Sequence, residues 1–298
     1  MTEVGAPPAT SAGDWTAERI DAECDAAYES YFADIRQRHI AYFAERPELR
    51  SDTHPFAAKS REAALPDGWE HLARALPANA WHRHHLSGGS SQMLALVLLA
   101  AAARADASLD WIAGNLHLRA PLGLFEVELA PAVLNELPRQ TTLDWLVLDR
   151  RQVIAAEAKF TERGLGQCSC EGRDTGSCSD RVLERLYWTV ASRDMAIAAA
   201  DGGCALSPAY QAVRNVAAAQ ALAGDRKSAF LLLYDARNPY FAGTGTWPGW
   251  KRMLSSAMSK SRTSFLSLSW QELLSAVSLD ARVSSWAADK HGLVPDAR

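Results

Sequence analysis

Hydrophobic and polar positions repeat along this chain at two periods, and the change from one to the other divides it. From Trp15 to Glu45, apolar and aromatic residues recur at helical spacing (Ile20, Ala27, Tyr31, Ile35, Ala41). This predicts one or two amphipathic helices, ended by Pro47. Residues 1–14, rich in Pro, Ala, Gly and Thr, are expected to be a disordered tail. "SSQMLALVLLAAAARA", starting at Ser90, is almost wholly apolar after its opening, so the helix it predicts must be buried, with Ser91 as N-cap.

The pattern then turns strand-like. "GLFEVELA" (123–130) alternates, and "TLDWLVLD" (142–149) and "QVIAAEAKF" (152–160) follow as two more strands. Two helices are expected over 181–200 and 207–223. "SAFLLLYDA" (228–236) reads as a strand covered on both faces. A short helix (247–258), a strand (263–269) and a last clear helix (270–277) complete the order. The order predicts an α/β fold, a mixed sheet flanked by helices. An N-terminal helical extension (15–85) precedes a domain spanning 86–298.

Composition narrows the function classes. A net charge of −4 over 298 residues gives no global basic signal, so a nucleic-acid binder would need a local basic cleft. No apolar run reaches the roughly 18 residues of a membrane span. The N-terminus lacks a charged-then-apolar export pattern, and a cytoplasmic protein is expected. Five cysteines, an odd number, then read as thiols or metal ligands rather than a disulfide framework.

The informative stretch is "VIAAEAKFTE" (153–162), where Glu157 and Lys159 interrupt an apolar strand. If Arg150 and Arg151 form the hairpin turn, antiparallel partners have numbers summing to 301. Asp144 then lies opposite Glu157, and Glu157 and Lys159 share a face. Arg-Arg is poor turn chemistry, so the register could slip. Burying these charges unpaired would be costly. It becomes sensible if Asp144 and Glu157 hold a hard cation such as magnesium, with Lys159 beside the attacking water. The competing reading, a solvated salt-bridged hairpin, conflicts with the flanking Ile154, Ala155, Ala156 and Phe160. The close carboxylates also lead us to expect Glu157→Gln to be neutral or stabilising.

Asp144, a spacer, and Glu157-Ala158-Lys159 at the end of a hairpin resemble the PD-(D/E)xK nuclease superfamily. Within it the chain is most similar to bacterial restriction endonucleases with three shared features: a Ser-Ser-Gln helix start, a Thr-x-x-Asp strand and a Glu-x-Lys-[Phe/Tyr]-Thr-Glu strand. Here these are Ser90-Ser91-Gln92, Thr141 to Asp144, and Glu157 to Glu162. "FEVEL", "YQAVRN" and "LLYDARNP" extend the likeness over roughly residues 86–275. Leu143 stands where the family's name has proline. The resemblance implies a restriction-endonuclease-like fold and cleavage of DNA dependent on Mg2+, or Mn2+ in its place. It implies Asp144 and Glu157 as metal ligands, Lys159 at the water, DNA as partner, and leaves room for a homodimer. The alternative is a non-catalytic nucleic-acid or protein-binding module that keeps the nuclease fold.

Auxiliary candidates follow. Glu126 and Glu128 could add a ligand or bind a second ion, although an exposed strand face explains them equally well. Gln211, Arg214 and Asn215 open the helix after the Glu-x-Lys strand and could face the site. Ser91 and Gln92 could offer amides to a phosphate at a helix N-terminus. Cys168, Cys170, Cys178 and Cys204 have the atypical spacing C-x-C-x7-C-x25-C for zinc or an iron–sulfur cluster. An unbroken helix over 181–200 would separate the last two by roughly 30 Å, which argues against a shared metal. The "HRHH" run (82–85) reads as an exposed loop, and Trp247, Trp250 and Trp270 as packing residues.

Overall fold

The structure, a computed structural model, describes residues 22–105, 123–136, 140–166, 186–195, 209–245 and 247–296. Helix α1 (Ala22–Ala44) buries Cys24, Tyr28, Tyr31, Ile35, His39 and Phe43, one stripe at three- to four-residue spacing. Irregular chain with short turns leads to α2 (Ser91–Arg104), which is buried on nearly all sides. Its N-cap is Ser90, whose hydroxyl accepts from the Met93 amide at 3.3 Å, and not Ser91 as expected.

Five strands form one sheet in chain order: β1 (Gly123–Glu128), β2 (Thr142–Leu148), β3 (Gln152–Ala158), β4 (Lys227–Tyr234) and β5 (Thr263–Ser269). The first three pair antiparallel; β3–β4 and β4–β5 pair parallel. The helices that follow are α3 (Leu186–Asp194), α4 (Tyr210–Ala223), α5 (Gly249–Ala257), α6 (Trp270–Ala276) and α7 (Ala281–His291). This is the predicted restriction-endonuclease-like α/β arrangement. All of β3 is buried, because both faces are covered. Glu157 and Lys159 meet α4, whereas Phe160 packs on His39 of α1 and His291 of α7. The core is continuous from α1 through the sheet to α7.

The β2–β3 hairpin has the predicted register. Trp145 pairs with Ala156 and Leu148 with Val153, each pair summing to 301. Arg150-Arg151 forms the turn without left-handed backbone. The Asp149 carboxylate takes the amides of Arg151 (2.6 Å) and Gln152 (2.9 Å), replacing glycine chemistry with a side-chain-closed turn.

Two further expectations are corrected. Helix α7 lies beyond the last helix that the pattern predicts, because "ARVSSWAADKH" has only two large apolar residues, Val283 and Trp286; it is fixed by the Asp280 cap and a left-handed Gly292 at φ +63°. Helix α3 ends at Asp194, short of 200, so the 30 Å separation argued for the cysteines loses its premise. Cys168, Cys170, Cys178 and Cys204 lie outside the described residues. Among those described, no helix is long and apolar enough to cross a membrane.

Candidate active site

Across the first three strands the sequence aligns three acids. Partners on β1 and β2 sum to 270, with pairs on either side of Glu126 (Phe125 with Trp145, Val127 with Leu143). Neither Glu126 nor Asp144 makes a ladder pair here, but extending the two registers sets Glu126 opposite Asp144 (126 + 144) and Asp144 opposite Glu157 (144 + 157). The charges of both glutamates act on Asp144. Glu126 sits at φ +50°, a left-handed position that costs a non-glycine residue about 1–2 kcal/mol.

The row is wired to its neighbours. Lys159 Nζ pairs with Glu157 Oε1 at 2.8 Å, with both residues at most 5% exposed. That burial excludes the solvated hairpin. Lys159 also donates to Gln211 Oε1 (2.9 Å), and Asn215 Nδ2 donates to Glu157 Oε2 (2.7 Å). Gln211 and Asn215 are four apart on α4, so one helix face positions both members of the ion pair. Asp144 Oδ2 accepts from the Ala158 amide at 2.8 Å.

The ionisable groups of the cluster act strongly on one another. Burial, then the charges of Glu157 and Glu126, hold the Asp144 carboxyl well above the usual carboxylate range. Burial also pushes Glu126 up to about 7; Glu157 adds to this, and a hydrogen bond from Gln92 opposes it. Burial alone would lower Lys159, but Glu157, Glu162 and Asp144 outweigh it and keep the ammonium charged.

These groups open on a cleft of about 760 Å³. Ser91, Gln92, Glu126, Asp144, Glu157, Lys159 and Gln211 all line it. Gln92 is a brace: its side chain accepts from the His82 amide and donates to the Ala80 carbonyl. The "HRHH" run is thereby held at the mouth, where His82 and His84 line the cleft. Ser91 donates to Glu162 Oε1 at 2.5 Å. Two candidates lie elsewhere. Glu128 is exposed and does not line the cleft. Arg214 turns from it to clamp Glu136 and Thr141. Trp247, Trp250 and Trp270 are buried packing residues, as expected.

Sequence reasoning gave no role to the segment after Lys159. Where β3 leaves the sheet, five consecutive carbonyls each accept from a side chain. Trp270 serves Lys159 (3.0 Å), Tyr31 and Asn238 serve Phe160 (2.8 and 2.9 Å), and Tyr28 serves Thr161 (2.6 Å). Asn238 also serves Glu162 (2.9 Å), and Trp250 serves Arg163 (3.3 Å). Their donors come from α1, α5, α6 and the turn after β4, so no local pattern could reveal them.

A hard cation suits the donor set, since it would relieve the clustered carboxyls that burial and mutual repulsion disfavour as anions. Among the described residues no group of three or more His, Cys, Asp or Glu side chains is arranged to hold a metal ion. Any ion here would keep several waters, as magnesium does.

Over residues 24–290 the sequence matches the family described as restriction endonuclease associating with ARP. The chain belongs to this family. The match includes α1, so the helix carrying Tyr28 and Tyr31 lies inside the family's span together with the acidic row. Comparisons with curated proteins and with solved structures gave no match. Within this restriction-endonuclease family, then, the cleft above is the candidate site.

Proposed function

We propose that this protein is a magnesium-dependent endonuclease that hydrolyses DNA phosphodiester bonds, with manganese able to substitute. The PD-(D/E)xK assignment belongs to this reading, with Asp144 and Glu157 as ligands and Leu143 in the place of proline. The observation that carries it is the buried Lys159–Glu157 ion pair beside Asp144 on the wall of a cleft. A structural ion pair has no need of a second and third carboxylate beside it. Bound magnesium would acidify a coordinated water and offset phosphate charge.

The chain's own groups supply the rest. Lys159 stays protonated, so it acts as a donor, orienting the attacking water or a non-bridging phosphate oxygen and stabilising the charge that builds there. Gln211 and Asn215 fix the pair's geometry. Glu126, third in the row, is the candidate for a further ligand or a second ion in this reading. The family description names an association with ARP, and we carry that partnership to this chain, acting in the cytoplasm in restriction or defence.

The test is cleavage of plasmid and single-stranded DNA by the wild type and by Lys159→Ala, in magnesium and in chelator. Cleavage only by the wild type with magnesium is the expected result. DNA binding by the wild type without cleavage in magnesium would instead establish a non-catalytic module.

A further inference from the structure

Arg163 stands at the lip of the cleft, four residues beyond Lys159, on the segment whose carbonyls are all occupied by side chains. Its position is therefore set by the same framework that sets Lys159. The guanidinium lies over the Tyr28 ring at 4.5 Å, with the Tyr240 ring at 5.9 Å. These cation–π contacts, with a hydrogen bond to the Tyr28 hydroxyl, hold the guanidinium at the lip while leaving other donors of the fork for a second partner. Those donors meet two acids of α1's first two turns: Glu29 directly, and Asp25 at 3.9 Å. All three side chains are more than half exposed. Exposed pairs of this kind are worth about 0–1 kcal/mol, so a competing anion can displace them.

We infer that Arg163 binds a phosphate of the DNA backbone next to the scissile bond, and that Asp25 and Glu29 hold its guanidinium in place of that phosphate until substrate arrives. The inference rests on the nuclease reading and adds the cleft's phosphate-binding residue. Arginine is suited to the exchange because its planar fork takes carboxylate or phosphate oxygens in the same geometry. The tyrosine rings keep the fork in place while its partner changes.

The experiment is titration of short labelled duplexes of two unrelated sequences, with calcium replacing magnesium, across a salt series. Arg163→Ala is expected to weaken binding about tenfold on both sequences and to flatten the slope of log affinity against log salt by about one unit. Asp25→Asn with Glu29→Gln is expected to tighten binding severalfold, because the resident competitors are gone. Melting curves of Arg163→Ala and of Glu29→Gln alone should match the wild type, as these are surface changes. Asp25 also accepts from the buried Tyr240 hydroxyl, so its variant is compared at a temperature where its own melting curve shows it folded. If the wild type binds and Arg163→Ala binds equally well with the same salt slope, the inference is overturned and the nuclease reading stands. Unchanged affinity in the Asp25/Glu29 variant overturns the exchange. A wild type that binds no DNA overturns both.

Discussion

Asp144 reaches across the hairpin and accepts the Ala158 amide at 2.8 Å, which ties the middle carboxylate of the row to the end of β3, between Glu157 and Lys159. One oxygen is thus anchored while the cleft lies beside the carboxyl. Asp144→Asn keeps an oxygen for that amide and removes the anion. We expect cleavage to fall by orders of magnitude with little loss of fold stability. Magnesium raises the wild-type melting temperature if it binds only the folded state, and the variant should lose that rise. An equal rise in both proteins would remove Asp144 from the ligand set.

Glu157→Gln separates two arguments. Considered from carboxylate repulsion alone, the substitution should be neutral or stabilising. The structure reverses that expectation, because Glu157 is the buried partner of Lys159 at 2.8 Å. Removing one member of such a pair leaves an uncompensated buried charge, typically costing about 3–5 kcal/mol. Asp144 and Gln211 remain near Lys159, so we expect the lower end of that range together with loss of cleavage. Denaturant unfolding decides the point; unchanged stability would show that the remaining neighbours, Asp144, Glu162 and Gln211, suffice to hold the ammonium.

How much of this was legible in the sequence depends on how far apart the partners lie. The strand register follows from alternation and one turn, and Asp149 made a poor Arg-Arg turn workable with a local side chain. Asp144, Glu157 and Lys159 came together for the same reason. Gln211 and Asn215 were visible as a polar helix face, but Arg214 between them was not separable by pattern; Glu136, on another element, decides where it points. Ser90 and Ser91 are chemically alike, so only the backbone picks the cap. The carbonyl donors Tyr28 and Tyr31 act across 133 and 129 residues, with no periodicity to announce them.

Asn238 tests that carbonyl framework. Its amide nitrogen donates to both Phe160 O and Glu162 O, and the residue is fully buried. Asn238→Asp preserves shape but converts the donor to an acceptor. Glu162 O then loses its partner and both carbonyls face an acid, a cost of about 3 kcal/mol. Cleavage should fall as well, because Lys159 and Arg163 border the loosened segment. A variant as stable and active as the wild type would show the framework to be dispensable.

Lys290 gives the sharpest pH prediction. Burial on α7 lowers its pKa from 10.5 to about 7, while its Nζ donates to the Ala64 carbonyl at 2.8 Å beneath the Trp286 ring. In the unfolded chain the lysine keeps its proton to about 10.5. Between pH 7 and 10 the unfolded state therefore binds more protons, and stability contributed by this residue rises with pH. Its contribution is full above the unfolded value and lost as pH falls towards 7. Lys290→Met removes the titration at similar volume but leaves the Ala64 carbonyl without its donor, so absolute stability has opposing terms. The slope does not: the wild-type melting temperature should climb from pH 7 to 10 relative to the variant's. Parallel profiles would mean that Lys290 retains an ordinary pKa and reaches water in the folded protein.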